Sequence, residues 1–490
     1  MRFPVLFVVT SLLTGCAARP GPLVPEHYAD ITAYRQARAR LVADERALRL
    51  GATSALTAEE EMANRSLMAL KQAEFDRTRT YFPPAHSFLY NRTKDLIAES
   101  AVFRVMKRMP KGAILHAHGG AMGDFRWLVS HATYRPDCYR YVGAGPAPVH
   151  GALRLLEQSP GEDWRLVSEL RSASPDVRAF DEEIFRSLTL GEEDLEAPDI
   201  WEEFSKTFRR MSGLMTNRSV YTDYWRNALI SLIDENVQYI ESRSTPIDET
   251  IIRDVRSHDP DFDIKFIPAG GRSATRERMA QVLSAVVEQR AKNPERVKGF
   301  DLVEEEDRTN TNLFYVEELL AAKRDAQRRG MSLPLYLHSG ETNWAENENL
   351  YDAVLLGASR IGHGVALFKH PLLMEIVRTR GITIEICPTS NQILGYVPDL
   401  RNHPAANYIN AGLSVVLSPD DAGIMRNSLS HDFYVAFMAW GLDLRDLKQL
   451  AMNSLLHSAM NPDEKRRALA VWERRWSVFV KSLNEPPLLP

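Results

Sequence analysis

Apolar residues follow a helical pattern in the first part of the chain. From residue 26 to about 108 they recur every three or four positions, as at Leu67 and Leu70, among many charged residues, and Pro83-Pro84 interrupts the pattern. A period of three to four residues predicts amphipathic helices. We therefore expect an N-terminal helical arm over residues 26–108.

Beyond residue 108 the apolar positions gather into eight short runs, each followed by a polar segment or a helical one. This alternation is typical of a parallel sheet built from βα units, and eight units predict an α/β fold, a (β/α)8 TIM barrel over 109–490. The long interval between the first two runs predicts an inserted subdomain over about 124–200. The predicted strands lie near residues 113–116, 237–241, 264–268, 299–303, 335–338, 359–362, 383–387 and 414–417.

The first 25 residues have a pattern of their own. Met1-Arg2 precede an apolar run over 3–13, which is about half of the ~20 residues that span a bilayer, and Leu13-Thr14-Gly15-Cys16 follows. This pattern predicts a signal peptide over 1–15 whose end resembles a bacterial lipobox, with Cys16 as the lipidated residue and 16–25 as a tether. We expect an exported protein that is lipid-anchored to the outer membrane, on its periplasmic or surface face. An ordinary cleavable signal and a buried strand are the alternatives.

Composition narrows the classes of protein. The 490 residues are 44% hydrophobic and 26% charged, which is typical of a globular chain with a large core and excludes a disordered or many-spanning membrane protein. Lys and Arg total 60 against 65 Asp and Glu, without a long basic run, so nucleic acid is not an expected partner. Three cysteines are too few for a disulfide scaffold, and Cys138 and Cys387 are predicted to be isolated thiols.

Histidines and acids fall at the ends of the predicted strands. His116-Ala117-His118 closes the first strand, and residues i and i+2 of an extended segment project to the same side, so both imidazoles can reach one ion. Three further strands also end in such residues, namely His338, His363 and the pair Asp420-Asp421. Because the carboxyl ends of barrel strands meet at one mouth, these side chains predict a common site.

Three or four nitrogen and oxygen ligands with room for water suit a catalytic zinc, which lowers the pKa of a bound water to about 7. The predicted zinc ligands are His116, His118, His338 and Asp420. Glu341 is predicted to carry a proton to the substrate. Glycine-flanked His363 is predicted to orient or deprotonate the water. Singly, each residue also fits a structural role, such as a strand-end polar group, a first-turn helix acid or a hydrogen-bonded core histidine.

Several longer segments occur in a characteristic order between about residues 75 and 460. They are Met109-Pro110-Lys111-Gly112 leading to His116-Ala117-His118, Phe300-Asp301-Leu302-Val303, His338-Ser339-Gly340-Glu341-Thr342-Asn343-Trp344, Arg360-Ile361-Gly362-His363-Gly364, Cys387-Pro388-Thr389-Ser390-Asn391-Gln392, Arg401-Asn402-His403-Pro404 and Ser418-Pro419-Asp420-Asp421. In these segments the chain resembles the adenosine deaminase family, and most closely its secreted branch, the adenosine deaminase-related growth factors.

The resemblance implies a metal-dependent hydrolase in which water adds at C6 of adenine and ammonia leaves. It implies the same four zinc ligands, with Glu341 protonating purine N1, His363 activating the water and Asp421 as the acceptor for purine N7. Glu304 and Trp344 are further candidate substrate contacts. The expected substrate is adenosine or a related 6-aminopurine nucleoside. The branch also dimerises through its N-terminal helices, so the arm is expected either to pair protomers or to pack on its own barrel.

The sequence departs from the family at the substrate. Gly119 and Gly120 stand where the family places an Asp that meets the ribose, and the acidic run Glu304–Asp307 replaces a glycine whose amide approaches purine N3. Relatives in the branch also pair two cysteines in the inserted subdomain, where this chain has only Cys138. These departures predict that a neutral 6-aminopurine nucleoside, or a variant with an altered ribose or N6 group, is preferred to adenosine monophosphate, and that plain adenosine is a weak substrate.

Two other hypotheses stand beside this one. The first is another amidohydrolase, acting on a different amine, amide or ester, in which Glu304 bridges a second metal to His338 and His363. The second is a catalytically inactive binding lipoprotein with a structural zinc, against which the spare acid Glu341 argues. Cytidine-type zinc deaminases are excluded because the chain has no C-x-x-C.

Overall fold

Twelve strands occur in the part of the chain that the computed structural model describes, residues 27–78, 96–342 and 346–485. All eight predicted strand regions contain one. The strands are β1 (Gly112–His118), β2 (Cys138–Tyr141), β3 (Leu153–Leu155), β4 (Trp164–Leu166), β5 (Val237–Arg243), β6 (Asp263–Phe266), β7 (Ala269–Gly271), β8 (Asp301–Val303), β9 (Tyr336–Ser339), β10 (Arg360–His363), β11 (Thr383–Ile386) and β12 (Val415–Leu417).

Nine of these strands form parallel ladders that follow one another around a barrel. β1, β5 and β6 pair in that order, β7 pairs with β8, and β9 to β12 pair in sequence. Single parallel bridges join the ladders: Phe266 to Val297, Phe300 to Leu335, and Ala117 to Asp420, which links the first strand to the segment after the last. The predicted (β/α)8 barrel of the metal-dependent hydrolase type, with an N-terminal helical arm, is confirmed.

Helices alternate with the barrel strands and also build the arm and the insertion. The helices are α1 (Ile31–Leu48), α2 (Ala58–Thr78), α3 (Ala101–Arg108), α4 (Phe125–Ala132), α5 (Val167–Ala173), α6 (Val177–Ser187), α7 (Ile200–Met215), α8 (Arg218–Asp234), α9 (Glu249–Arg256), α10 (Arg276–Lys292), α11 (Val316–Arg328), α12 (Asn349–Leu355), α13 (Pro371–Arg380), α14 (Pro388–Ile393), α15 (Ala405–Asn410), α16 (Leu429–Ala439), α17 (Leu444–Leu456) and α18 (Pro462–Asn484).

Local sequence explains many helix boundaries. Asn217, Asp248 and Thr275 each accept backbone N–H bonds at the start of α8, α9 and α10. Such caps satisfy amides that have no partner inside the helix. Gly381 ends α13 with a φ of 65°, the left-handed conformation that glycine adopts without steric cost.

The two parts of the arm behave differently. Helix α2 packs against α18 and α17, and buried Glu60 accepts a hydrogen bond from the Trp476 indole at 2.7 Å. Helix α1 has no buried residue and touches the barrel mainly at α15. The arm therefore packs partly on its own barrel, as one prediction had it, while α1 presents its surface outward. Pro83-Pro84 lies outside the described residues.

Between β1 and β5 the chain forms an antiparallel sheet, β3-β2-β4, and the helices α4 to α8. Helix α7 packs against β3 and extends over the carboxyl ends of the barrel strands. A small apolar cluster of Tyr141, Val149, Ala152 and Trp164 supports the sheet. Cys138 and Cys387 are buried free thiols, as predicted. Among the helices of the described ranges, none is long and apolar enough to cross a membrane.

Candidate active site

The predicted zinc ligands meet at the carboxyl mouth of the barrel. Nε2 of His118 lies 3.3 Å and Nε2 of His116 lies 3.4 Å from the same oxygen, Oδ1 of Asp420. Each of His116, His118 and His338 has a ring nitrogen within 4.8 Å of one on the other two. The i, i+2 spacing on β1 and the ends of β9 and β12 thus bring three imidazoles and a carboxylate to one point.

This cluster fits a cation. His116 Nε2 and Asp420 Oδ1 are buried and have no hydrogen-bond partner among the described residues. Buried polar atoms without partners are costly, and here they face each other across a short gap that an ion would bridge. Imidazole nitrogens and a carboxylate oxygen are ligand types that zinc binds in catalytic sites.

Two buried carboxylates fix the orientation of His116 and His338. Glu385 lies 2.7 Å from Nδ1 of His116, and Asp301 lies 2.8 Å from Nδ1 of His338. Arg243 bridges the two carboxylates. Because Nδ1 of each imidazole donates to a carboxylate, Nε2 is left bare to face the ion.

Asp301 and Glu385, the backing carboxyls behind the two histidines, are held ionised. Burial alone would raise the pKa of Asp301, but His338 and Arg243 outweigh it and hold that pKa well below its usual range. Burial would also raise the pKa of Glu385, but Arg243 and Arg360 outweigh burial and hold that pKa below its usual range. Burial lowers the pKa of His338 to about 4, so this ligand is neutral, as metal binding requires.

No role for Asp301, Glu385 or Arg243 was predicted from the sequence. A signal for Glu385 is present, since it is a charged residue in the otherwise apolar strand Thr383-Ile384-Glu385-Ile386. Asp301 lies in a recognised segment, but its partner His338 comes from another strand. Only the closed barrel shows that the two are in contact.

On the other side of the cluster two carboxyls have raised pKa values. Burial, and then the neighbouring Asp420, raise the pKa of Glu341 well above its usual value. The same two causes raise the pKa of Asp421. Glu341 Oε1 lies 3.6 Å from Nε2 of His363. The site therefore places two acids whose surroundings favour the protonated form beside the candidate metal ligands, an arrangement suited to giving a proton to a substrate.

His363 ends β10 with a φ of 60° and is buried. Its neighbours are glycines where space is short: a Cβ on Gly362 would lie 3.0 Å from Cε1 of His116. Burial, and then the nearby His116, lower the pKa of His363 well below its usual value, so the ring is neutral. Its Nε2 faces Glu341 and, at 4.0 Å, Oδ2 of Asp420.

A cavity of about 500 Å³ opens above these groups. Its floor includes His118, His338, Glu341 and His363, and its roof is one face of α7 from the insertion. That face carries Trp201, Phe204 and Phe208, and the Trp201 indole donates to the Tyr396 hydroxyl at 2.5 Å. Trp201, Phe204 and Phe208 are spaced by three and four residues, which places them on one face of a helix. This pattern is visible in the sequence, but no role was predicted from it.

The departures from the family pattern have clear structural settings. A Cβ on Gly119 would lie 2.5 Å from the Trp225 ring, whereas one on Gly120 would meet only Met211, at 3.5 Å. Glu304 has a φ of 86° and lines the cavity, but its carboxylate accepts the Ser273 N–H at 2.7 Å. It belongs to none of the groups of described residues close enough to share an ion, so the geometry gives no support to the binuclear hypothesis. Trp344 and Cys16 lie outside the described residues.

A (β/α)8 barrel whose strand ends gather three histidines and an aspartate beside buried carboxyls of raised pKa defines a metal-dependent hydrolase. Comparison with known proteins narrows this class. The family model described as Adenosine deaminase matches residues 195–471, and the one described as Adenosine/AMP deaminase N-terminal matches residues 18–106. The chain belongs to the adenosine deaminase family and is a hydrolytic enzyme that deaminates at a C–N bond.

Relatives of similar length include Adenosine deaminase 2 of Sus scrofa, 37% identical over 93% of this chain and 96% of its own. Adenosine deaminase 2 of Homo sapiens is 34% identical over 91% and 93%. A solved amidohydrolase with bound Zn from Burkholderia ambifaria aligns with a TM-score of 0.57 and 20% identity, covering 82% of this chain and 98% of its own. This last likeness shows the fold, while the first two confirm the family and its growth factor-like branch.

Proposed function

We propose that the protein is a zinc-dependent deaminase that converts a neutral 6-aminopurine nucleoside and water into the inosine-type product and ammonia. One observation carries the proposal. A cluster of side chains able to hold a metal ion shares a single cavity with two buried carboxyls of raised pKa, Glu341 and Asp421. The relatives named Adenosine deaminase 2 support the same reaction.

His116, His118, His338 and Asp420 would hold the zinc. When bound, such an ion activates water for nucleophilic attack by lowering the pKa of that water. The orphaned Nε2 of His116 and Oδ1 of Asp420 support this assignment, because both would gain a partner.

Glu341 would donate its proton to purine N1 as water adds at C6. This makes the ring a better acceptor of the incoming oxygen. The attacking water then gives up two protons: one goes to the amino group, which leaves as ammonia, and the other restores the acid form of Glu341. The resemblance implies an acceptor role for Asp421 toward purine N7, but N7 of a neutral adenine carries a lone pair and needs a donor. We therefore revise this role: protonated Asp421 donates to N7, in keeping with its raised pKa.

The charge around the cavity favours a neutral substrate. Both arginines among the described residues that line it are already paired, Arg308 with Asp199 and Glu305, and Arg209 with Glu202. A 5′-phosphate would meet these acids without a spare cation. Gly119 and Gly120 supply no carboxylate for a ribose hydroxyl, and the Trp225 ring takes the place of a side chain at residue 119.

A panel of substrates tests the proposal directly. Ammonia release by zinc-loaded protein is followed with adenosine, deoxyadenosine, 5′-modified adenosines, adenine and adenosine monophosphate. We expect a neutral nucleoside to have the highest kcat/KM. A monophosphate in first place would contradict the electrostatic reasoning. A full zinc site without ammonia from any aminopurine would favour another amidohydrolase substrate.

We also propose that α1 pairs two copies of the protein. Ile31, Tyr34, Leu41 and Leu48 are all exposed, and the last three recur every seven residues, which puts them on one helix face. Light scattering after size exclusion should give a dimer that Leu41→Glu dissociates. The matched change Ala43→Glu, on the opposite face, should leave it intact. A monomeric wild-type protein would contradict the proposal.

The N-terminal pattern supports export and lipidation at Cys16. In bacteria that express the full chain, Cys16→Ala should move the protein out of the membrane fraction and remove the acyl mass from its N-terminal peptide. Cys138→Ala, at a buried thiol, should change neither. An unmodified wild-type N-terminus would contradict this part of the proposal.

A further inference from the structure

Two segments singled out in the sequence, 387–392 and 401–404, have so far no chemical role. Each supplies one side chain to a buried chain of hydrogen bonds that ends on His363. The backbone N–H of Ala405 lies 3.0 Å from Nδ1 of His403, and Nε2 of His403 lies 3.1 Å from Oδ1 of Asn391. Nδ2 of Asn391 then lies 3.2 Å from Nδ1 of His363.

The direction of every bond in this chain follows from its first member. A backbone N–H can only donate, so Nδ1 of His403 accepts. Burial lowers the pKa of His403 to about 3, so the ring is neutral and carries its one proton on Nε2. That proton is donated to Oδ1 of Asn391, which leaves the Asn391 amide nitrogen facing His363. An amide nitrogen donates, so Nδ1 of His363 accepts and bears no proton.

We propose that Asn391 and His403 are positioning residues that hold His363 as the tautomer protonated on Nε2, with this N–H directed into the cavity. Nε2 of His363 is buried, and among the described residues it has no hydrogen-bond partner. It lies 3.6 Å from Glu341 Oε1 and 4.0 Å from Asp420 Oδ2, beyond hydrogen-bond length but close enough to flank a bound oxygen.

The tautomer decides between the two roles predicted for His363. A nitrogen that carries a proton can neither ligate a metal nor take a proton from water, but it can donate a hydrogen bond to the attacking oxygen. His363 therefore orients the water rather than deprotonating it, a statement that rests on the proposed function. It also removes His363 from the ligands of any second metal, which the binuclear hypothesis requires.

A spectroscopic experiment reads the tautomer without measuring activity. The zinc-loaded, full-length protein is labelled with ring-¹⁵N histidine, and the His363 signals are identified by their loss in His363→Gln. Long-range proton–nitrogen correlation spectra distinguish a protonated from a bare ring nitrogen. We expect a protonated Nε2 and a bare Nδ1 in the wild-type protein. A proton on Nδ1 with a bare Nε2 would overturn the proposal, whether or not any aminopurine is deaminated.

Variants test whether the hydrogen-bond chain from His403 through Asn391 to His363, here called the relay, fixes the tautomer of His363. In Asn391→Asp the carboxylate can only accept, so the His363 proton should move to Nδ1 and kcat should fall about 10²-fold, as for loss of one donor to a reacting oxygen. Zinc content and KM should change by less than about threefold. His403→Gln keeps an N–H donor toward Asn391 and should retain the tautomer and most of kcat. An Asn391→Asp protein with an unchanged His363 tautomer and an unchanged kcat would overturn the proposed role of Asn391. If that variant fails to fold, the wild-type spectrum and the His403→Gln variant still test the tautomer.

Discussion

Two pairs of buried carboxyls flank the metal-ligand cluster, and they carry opposite charge states. Asp301 and Glu385, behind the histidines, have lowered pKa values, whereas Glu341 and Asp421, beside the cavity, have raised ones. All four are at most 3% exposed. Burial therefore does not distinguish the pairs.

The neighbours make the difference. The backing pair shares Arg243, whose guanidinium joins both carboxylates, and each member also faces a histidine. The cavity pair faces Asp420, a like charge, and Asp420 itself has a lowered pKa because His116 and His118 outweigh its burial. Asp301 and Glu385 thus supply negative charge behind the histidines, whereas the surroundings of Glu341 and Asp421 favour the protonated form on the side of the cavity.

The neighbouring residues Asp420 and Asp421 allow the first test of this contrast. Asp420→Asn should lose nearly all bound zinc, and with it nearly all activity, because an amide replaces an anionic ligand by a neutral one. Metal analysis of purified protein gives the stoichiometry, expected to fall from close to one per chain to near zero. Zinc retained at full stoichiometry would remove Asp420 from the ligand set.

Glu341→Gln should keep fold and zinc but lower kcat by ~10²–10⁴, because an amide cannot transfer the proton. The wild-type enzyme needs Glu341 in its protonated form. Its kcat should therefore be constant at pH values below the raised pKa of Glu341 and should fall as pH rises through that pKa. The variant should lack this alkaline decline. Steady-state kinetics over a pH series, with zinc content measured in parallel, checks both effects. Activity within about threefold of wild type would contradict the role of Glu341.

On the backing side, Arg243→Met should weaken zinc binding by roughly 10–100-fold, because Asp301 and Glu385 lose the cation that orients them. Loss of one partner from buried ion pairs should also destabilise the fold by ~3–5 kcal/mol. Chelator competition and denaturant titration measure the two effects. Arg226→Met is a matched control at a partly exposed pair and should change stability by less than ~1 kcal/mol. Equal behaviour of the two variants would show that the backing charges do not matter.

The smallest effect is expected for Asp421→Asn. Burial and the neighbouring Asp420 raise the pKa of Asp421 and so favour its neutral form. A neutral amide that also donates an N–H should therefore replace it closely, and zinc content should not change. We expect kcat/KM for the best nucleoside to fall less than about tenfold. A loss as large as that of Asp420→Asn would show that Asp421 acts as an anion, and the contrast between the two pairs would fail.

Particular residues show how far sequence reasoning reached. The eight strands and the strand-end histidines were readable because buried parallel strands are short apolar runs and because their carboxyl ends share one mouth. Glu385 and Arg243 were not assigned, although both lie in predicted strands or at their ends, because their partners are 269 and 58 residues away along the chain. The relay to His363 was hidden for the same reason, since its two segments were visible but their contact was not.

Periodicity and ordered motifs are local properties of the chain, so they were sufficient to predict the barrel, the family and the side chains that meet at the carboxyl mouth. Tertiary structure alone decided which carboxyls are ionised, which face of α7 roofs the cavity, and that the Glu304 carboxylate binds Ser273 rather than the metal cluster. Protonation depends on charges within a few ångströms, and those charges come from strands far apart in sequence. The sequence specifies the residue types, whereas their charge states depend on contacts that form only when the barrel folds.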